Sequence, residues 1–305
     1  MGIFGSAKAR HFSREVVITP PEPQSTRNGI AIVACVKNEV SYIVEWVRFH
    51  QAIGVRHFIL YDDKSTDGTF DLLKGMMSGS ELTVIPWSMH MYFGEPERLL
   101  NGQVIAFAHA INNFGGAFDR MAFIDVDEFL LPKNARTLQA ALAPSEGFPN
   151  VSLPWHMFGH SGHEQRPELP VTRAYTKRVP DPMMRHEHAV NFKCIIDPTQ
   201  VTKVAVHHFD TRSYGDKTSN DAGVLATYRD RKRPEFYSAQ NIQLNHYYSR
   251  SREEFRQKIA RGWSYDSASS KYRDKAEAIA GYLEDNPRED RSMIDFLDTH
   301  AIKLD

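Results

Sequence analysis

The chain has 305 residues, with 37 Lys and Arg against 38 Asp and Glu, and two cysteines, Cys35 and Cys194. A net charge of −1 excludes wholesale nucleic-acid binding, and the length allows one large domain or two small ones with a full core. Two cysteines are too few for a disulfide framework, the longest apolar run is too short to cross a bilayer, and no signal-peptide core opens the chain, so a reduced, cytoplasmic setting is the expectation.

Residues 1–28 carry Pro20, Pro21 and Pro23 without sustained periodicity and read as an irregular lead-in. The continuous apolar run Gly29 to Val36 reads as a strand buried on both faces, ending in Lys37-Asn38-Glu39. Val40, Ile43, Val44, Val47 and Ile53 recur at helical spacing, with Gly54 as the stop. A second strand, Phe58 to Tyr61, ends in Asp62-Asp63-Lys-Ser-Thr-Asp-Gly-Thr69; Phe70 to Met77 follows as a helix and Leu82 to Ile85 as a third strand. Leu100 to Phe114 reads as helix, and Thr137 caps a short one through Leu142. Strand–helix alternation of this kind predicts a mostly parallel sheet covered by helices, with ligands beyond the carboxyl ends of its strands.

The fourth strand, Met121 to Ile124, runs into Asp125-Val126-Asp127-Glu128. In extended backbone Asp125 and Asp127 project to one side. Two neighbouring carboxylates there are costly to desolvate, and a divalent cation shared with a phosphorylated ligand would remove that cost. Three strands thus end in polar groups on the side where such a fold builds its site.

The second half is less regular. Val151 to Trp155, Lys193 to Ile196 and Val201 to Val206 read as strands, the last ending in His207-His208. Residues 211–237 read as a polar loop, with the basic run Arg229 to Arg233 taken as solvated surface. Arg252 to Gly262, Lys271 to Leu283 and Met293 to His300 read as tail helices. The division expected is a lead-in at 1–28, a catalytic domain at 29–210 split into a nucleotide-binding half, 29–130, and an acceptor half, 131–210, and a helical extension at 211–305.

Val36-Lys-Asn-Glu39, Tyr61-Asp-Asp-Lys-Ser-Thr-Asp-Gly-Thr69 and Phe123-Ile-Asp-Val-Asp-Glu-Phe129 together resemble the GT-A glycosyltransferases, nearest the family-2-like and family-92 groups. Trp155 with Phe158-Gly159, Ser161-Gly-His163, Lys193 with Ile195-Ile196, His207-His208, His246-Tyr247 and Ser251-x-Glu253-Glu254-Phe255 fit the narrower group, so the resemblance covers about Ile30 to Gly262. It implies a GT-A nucleotide-diphospho-sugar transferase fold. Asp63 would hold the base or ribose of the donor, with Lys37 and Glu39 at the neighbouring strand end. Asp125 would touch ribose or metal-bound water, and Asp127 would bind Mn²⁺ or Mg²⁺. A downstream His207 or His208 would complete the metal set, imidazole with carboxylate suiting Mn²⁺. Lys193 is a candidate phosphate contact, with a surface lysine as the alternative.

The activity implied is metal-dependent transfer of a hexose, with inversion, from a nucleotide diphosphate sugar to a carbohydrate or lipid-linked hydroxyl, in a setting such as surface polysaccharide assembly. Inversion requires a base on the acceptor. The E-D dipeptide of family 2 is missing between the D-x-D and the histidine pair, which leaves Glu164 first, then Asp181 and Glu187. Trp155, Trp263, Tyr247 and Tyr265 are candidate sugar platforms. The basic run and tail helices could dock at the inner face of an anionic membrane, an idea that unchanged sedimentation with anionic vesicles would count against. Two rivals stand beside this reading. A haloacid-dehalogenase-like phosphohydrolase also opens on strand and D-x-D, but normally continues through a Gly-Thr turn near its domain start. A GT-A protein that binds nucleotide or glycan without turnover is the other.

Overall fold

The computed structural model describes residues 11–92, 94, 98–183, 190–261, 270–285 and 287–304. Its centre is a ten-stranded mixed sheet. Ile30–Val36 lies between Val55–Asp62 and Arg120–Phe123, parallel to both, and Leu82–Pro86 adds in parallel on the outer side of Val55–Asp62. This is the parallel half expected from the sequence. Phe192–Ile196 then pairs antiparallel with Arg120–Phe123, and Asn150–Met157 antiparallel with Phe192–Ile196.

The apolar run at Ile30–Val36 is continuous because the sheet is covered on both sides. Alternation sends Ile30, Ile32, Ala34 and Val36 into one core with Trp46, Phe49 and Phe58. Ala31 and Val33 enter the other with Val104, Phe107 and Ile111. Helices Ile43–Ala52 and Gly102–Phe114 supply those covers. Asn101 caps the second of them by accepting from the Gln103 and Val104 amides at 3.0 and 3.2 Å.

Two expectations change in the flanks. The lead-in contributes strands: His11–Ser13 pairs with Arg98–Asn101, and Glu15–Val17 with Val201–Ala205. The polar stretch after Asp210 also contributes to the sheet, through Lys217–Ser219, Leu225–Thr227 and Ile242–His246. The basic run is not simply a solvated face. Arg231 is 1% exposed, donates to Ser152 Oγ at 2.8 Å and to the His207 carbonyl at 2.7 Å, and lies over the Phe192 ring. Only Arg229, Lys232 and Arg233 of that run are exposed cations. The tail helices Arg252–Arg261, Ser270–Glu284 and Ser292–Thr299 are present, and Phe296 and Leu297 of the last join the core over the sheet.

Candidate functional site

Two loops at the carboxyl ends of the central strands are laced together by their own side chains. Asn38 takes a φ of 55°, a left-handed conformation that Asn tolerates. Its amide donates to Ser65 Oγ at 3.1 Å, and its side chain accepts from the Thr66 amide at 2.8 Å. Asp67 accepts from the Val40 amide at 2.9 Å and the Thr69 amide at 3.0 Å, and Thr69 Oγ1 accepts from the Glu39 amide at 2.9 Å. Burial alone would raise the Asp67 carboxyl, but the hydrogen bonds from Thr69 and Val40 outweigh it and hold it low. Much of the Asp62–Thr69 motif therefore shapes the loop. Asp63 is buried, its Oδ2 3.1 Å from Lys37 Nζ and its Oδ1 3.3 Å from the Met89 amide.

The D-x-D segment is a turn and not extended backbone, closed by the Glu128 amide on the Asp125 carbonyl at 3.0 Å. The same-face argument for Asp125 and Asp127 therefore does not hold, and the two carboxylates enter different groups. Asp125 Oδ2 meets Lys193 Nζ at 2.7 Å, and Gln103 Nε2 donates to Asp125 Oδ1 at 3.2 Å. Lys193 is no surface lysine. It is 1% exposed, and its ammonium also lies 3.5 Å from Glu128 Oε2. Burial would lower its pKa, but Asp125 and Glu128 outweigh that and keep it charged. Burial beside Asp125 and Asp127 pushes the Glu128 carboxyl up, against the pull of Lys193.

Asp127 turns toward the C-terminal part of the chain. Its Oδ1 lies 3.4 Å from His246 Nε2, and its Oδ2 accepts from Lys258 Nζ at 2.9 Å. Burial would raise this carboxyl, but Lys258 and then His246 hold it well below the usual range. Burial lowers the His246 imidazole, against the pull of Asp127. The histidine beside Asp127 is thus His246, brought there by the pairing of Ile242–His246 with Glu128–Pro132, in which His246 faces Glu128. His207 and His208 each have one ring nitrogen engaged away from Asp127. His207 Nδ1 donates to the Phe192 carbonyl at 3.0 Å, and His208 Nε2 lies 2.7 Å from Asp210 Oδ1. Among the described residues no three His, Cys, Asp or Glu groups converge as a cation cage.

Asp127 and Lys258 border a cleft of ≈ 470 Å³, whose walls also include Glu39, Tyr42, Arg250 and Glu254. Glu39 lies 3.4 Å from Arg250, whose guanidinium stacks 3.6 Å over the Tyr42 ring. Glu254 closes a capping box with Ser251, accepting from its amide at 3.1 Å and its hydroxyl at 2.5 Å. Two of the acids favoured from sequence as the base, Glu164 and Asp181, do not line this cleft. Glu164 is an exposed partner of Arg252 at 3.2 Å, and exposed Asp181 accepts from the Met183 amide at 2.8 Å. Glu187, Trp263 and Tyr265 lie outside the described residues. Tyr247 is core, packed on Phe129 and Phe158, while the half-buried Trp155 carries His207 and His246 against its ring. Lys258, Arg250 and Gln103 escaped the sequence reading. Glu128 and His246 had left a trace there, in the Asp125–Glu128 group and the His-Tyr dipeptide.

Residues 30–276 match the model of glycosyltransferase family 92. A glycosyltransferase family 92 protein of Ricinus communis is 28% identical over 68% of this chain and 37% of its own length. One from Oryza sativa subsp. japonica is 28% identical over 66% of this chain and 34% of its own. The chain thus spans about a third of the length of these relatives. Among solved structures, Staphylococcus aureus TarS 1–349 in complex with UDP aligns with a TM-score of 0.31 at 16% identity, covering 56% of this chain and 47% of that one. Glucosyl-3-phosphoglycerate synthase of Mycobacterium tuberculosis, in complex with phosphoglyceric acid, aligns at 0.26 and 21%, covering 44% and 45%. Scores this low add nothing to the family match, which itself sets the phosphohydrolase reading aside. With polar motifs at the ends of its parallel strands and a match running through both halves of the sheet, the chain belongs to glycosyltransferase family 92.

Proposed function

We propose that this chain carries out metal-assisted transfer of a hexose from a nucleoside diphosphate sugar to a carbohydrate hydroxyl, with inversion. The observation that carries the reading is the convergence of Asp127, His246 and Lys258 beside a polar cleft, next to strand ends that present Asp63 and Asp125. Asp127 and His246 fit Mn²⁺ or Mg²⁺ as one carboxylate and one imidazole. With no third protein ligand among the described residues, diphosphate oxygens and water would fill the remaining positions. Such a cation, when bound, neutralises charge on the departing diphosphate. The side chains divide the remaining work. Asp63, steadied by Lys37, accepts hydrogen bonds from the base or ribose, and Asp125, fixed by Lys193 and Gln103, stands beside the sugar-nucleotide. Lys258 adds a second positive charge next to Asp127.

The acceptor's proton goes to a cleft carboxylate, Glu253 or Glu254, and not to Glu164 or Asp181. Both glutamates line the cleft, and burial raises the Glu254 carboxyl above its ordinary value, the direction that suits a proton acceptor. The test is nucleoside diphosphate release from a panel of sugar nucleotides with oligosaccharide acceptors, for wild type and for Glu253→Gln, Glu254→Gln, Glu164→Gln and Asp181→Asn. One cleft variant is expected to lose about 10²- to 10⁴-fold in turnover, while Glu164→Gln and Asp181→Asn stay near wild type. Loss confined to Glu164→Gln would return the base to the exposed loop. Nucleotide binding without sugar release from any donor would favour a non-catalytic binding protein.

A further inference from the structure

Among the buried polar atoms of the described residues that have no hydrogen-bond partner are Glu128 Oε1 and His246 Nδ1. They face each other at 3.9 Å. Buried groups left unpaired are costly and uncommon, and two that face one another call for a common explanation. Their positions are pinned from several sides. Glu128 and His246 are direct cross-strand neighbours, and the next rung is the Tyr247 amide on the Asp127 carbonyl at 2.8 Å. The Glu128 carbonyl accepts from Trp46 Nε1 at 2.8 Å, and its Oε2 accepts from the Asp125 amide at 2.8 Å, with Lys193 behind. Trp155 packs on the His246 ring with centroids 4.5 Å apart. Glu128 is therefore fixed, and a small rotation of the His246 ring brings Nδ1 within hydrogen-bonding range of Oε1.

We infer that Glu128 is a positioning residue for His246, accepting the Nδ1 proton so that Nε2 presents its lone pair beside Asp127. The inference rests on the metal-assisted reading above. An imidazole that coordinates through Nε2 must carry its proton on Nδ1, and a carboxylate behind a ligating histidine fixes both tautomer and ring orientation. Glu128 has one oxygen committed to donors, the Asp125 amide and Lys193, and the other left for Nδ1. That commitment makes the isosteric amide informative. In Glu128→Gln the amide oxygen must stay with those donors, so its NH₂ faces Nδ1 and enforces the tautomer with the proton on Nε2.

The test is Mn²⁺ alone, titrated into the whole chain and followed by the electron paramagnetic resonance of the free ion. Glu128→Gln is expected to weaken Mn²⁺ binding by about 10- to 100-fold. In a His246→Ala background the same substitution should have no further effect, which a merely structural role would not reproduce. Unchanged affinity in Glu128→Gln, or a loss that persists without His246, overturns the inference while leaving the metal site standing. Absence of Mn²⁺ binding in the wild type overturns both. Should Glu128→Gln fail to fold, the ring ¹⁵N resonances of His246 in the wild type with Mg²⁺ decide: a proton on Nδ1 supports the inference, and one on Nε2 refutes it.

Discussion

Lys193→Met is expected to cost about 3–5 kcal/mol of folding stability at pH 7, because it removes the buried ammonium between Asp125 and Glu128 and leaves a buried charge uncompensated. Methionine fills similar space, so charge and not volume accounts for the loss. The pH dependence should identify the cause. Without Lys193 the Glu128 carboxyl, already raised by burial beside Asp125 and Asp127, rises further. A carboxyl whose folded value exceeds its unfolded one contributes stability below the unfolded value, and that contribution is lost as pH rises through the folded value. The gap between Lys193→Met and wild type should therefore shrink as pH falls toward the ordinary glutamate range, about 4.3. Urea unfolding at several pH values measures it. A gap independent of pH would mean that Lys193 acts through packing. Adding Glu128→Gln to Lys193→Met should recover part of the loss at neutral pH, since one of the stranded charges is gone.

Lys258→Met should have the second-largest effect, on turnover. Lys258 is only half-buried, on the surface helix Arg252–Arg261, with Asp127 and the Tyr248 carbonyl as its hydrogen-bond partners, both at 2.9 Å. If its ammonium stabilises the departing diphosphate, turnover falls by about 10²- to 10³-fold, the scale set by removing one preorganised donor from a charge-developing site. Lys258→Arg should keep part of the rate. Metal binding should move the other way. In the nucleotide-free protein Lys258 occupies one oxygen of the carboxylate that the cation needs, so Lys258→Met should bind Mn²⁺ at least as tightly as wild type. Steady-state kinetics and a Mn²⁺ titration on one preparation separate the two effects. A parallel fall in both would make Lys258 a structural support for Asp127.

The parallel half of the sheet was legible because its physics is local. An apolar run bounded by polar strand ends, at βα spacing, fixes both the strand and the side on which its loops gather. The loop chemistry of Asn38, Ser65, Asp67 and Thr69 was legible as a motif but not as a division of labour. Spacing does not show that Asp67 is held by the amides of its own loops while Asp63 faces Lys37. The D-x-D argument failed for one reason. Alternation holds only in extended backbone, and the Asp125–Glu128 turn sends Asp125 to Lys193 and Asp127 to His246.

His246 was hidden by a strand that is polar at every second position. Gln243 and Asn245 are buried with His246, Gln243 donating to Asn245 Oδ1 at 2.8 Å and Asp290 Oδ2 at 3.1 Å. Polar residues satisfied in this way look like loop in a sequence, because a partner such as Asp290 lies far along the chain. Arg231 misled for the same reason. Its burial depends on Ser152, the His207 carbonyl and Phe192, none of them near it in sequence.

The central claim is that Asp127 anchors a divalent cation through which this chain holds a nucleoside diphosphate. The most direct measurement is isothermal titration of each common nucleoside diphosphate into wild type and Asp127→Ala, with Mn²⁺ and with chelator. The account predicts that one nucleotide binds wild type in Mn²⁺, and that both the chelator and the substitution abolish that binding. Nucleotide binding that survives both, or no binding of any nucleotide under any condition, would contradict it.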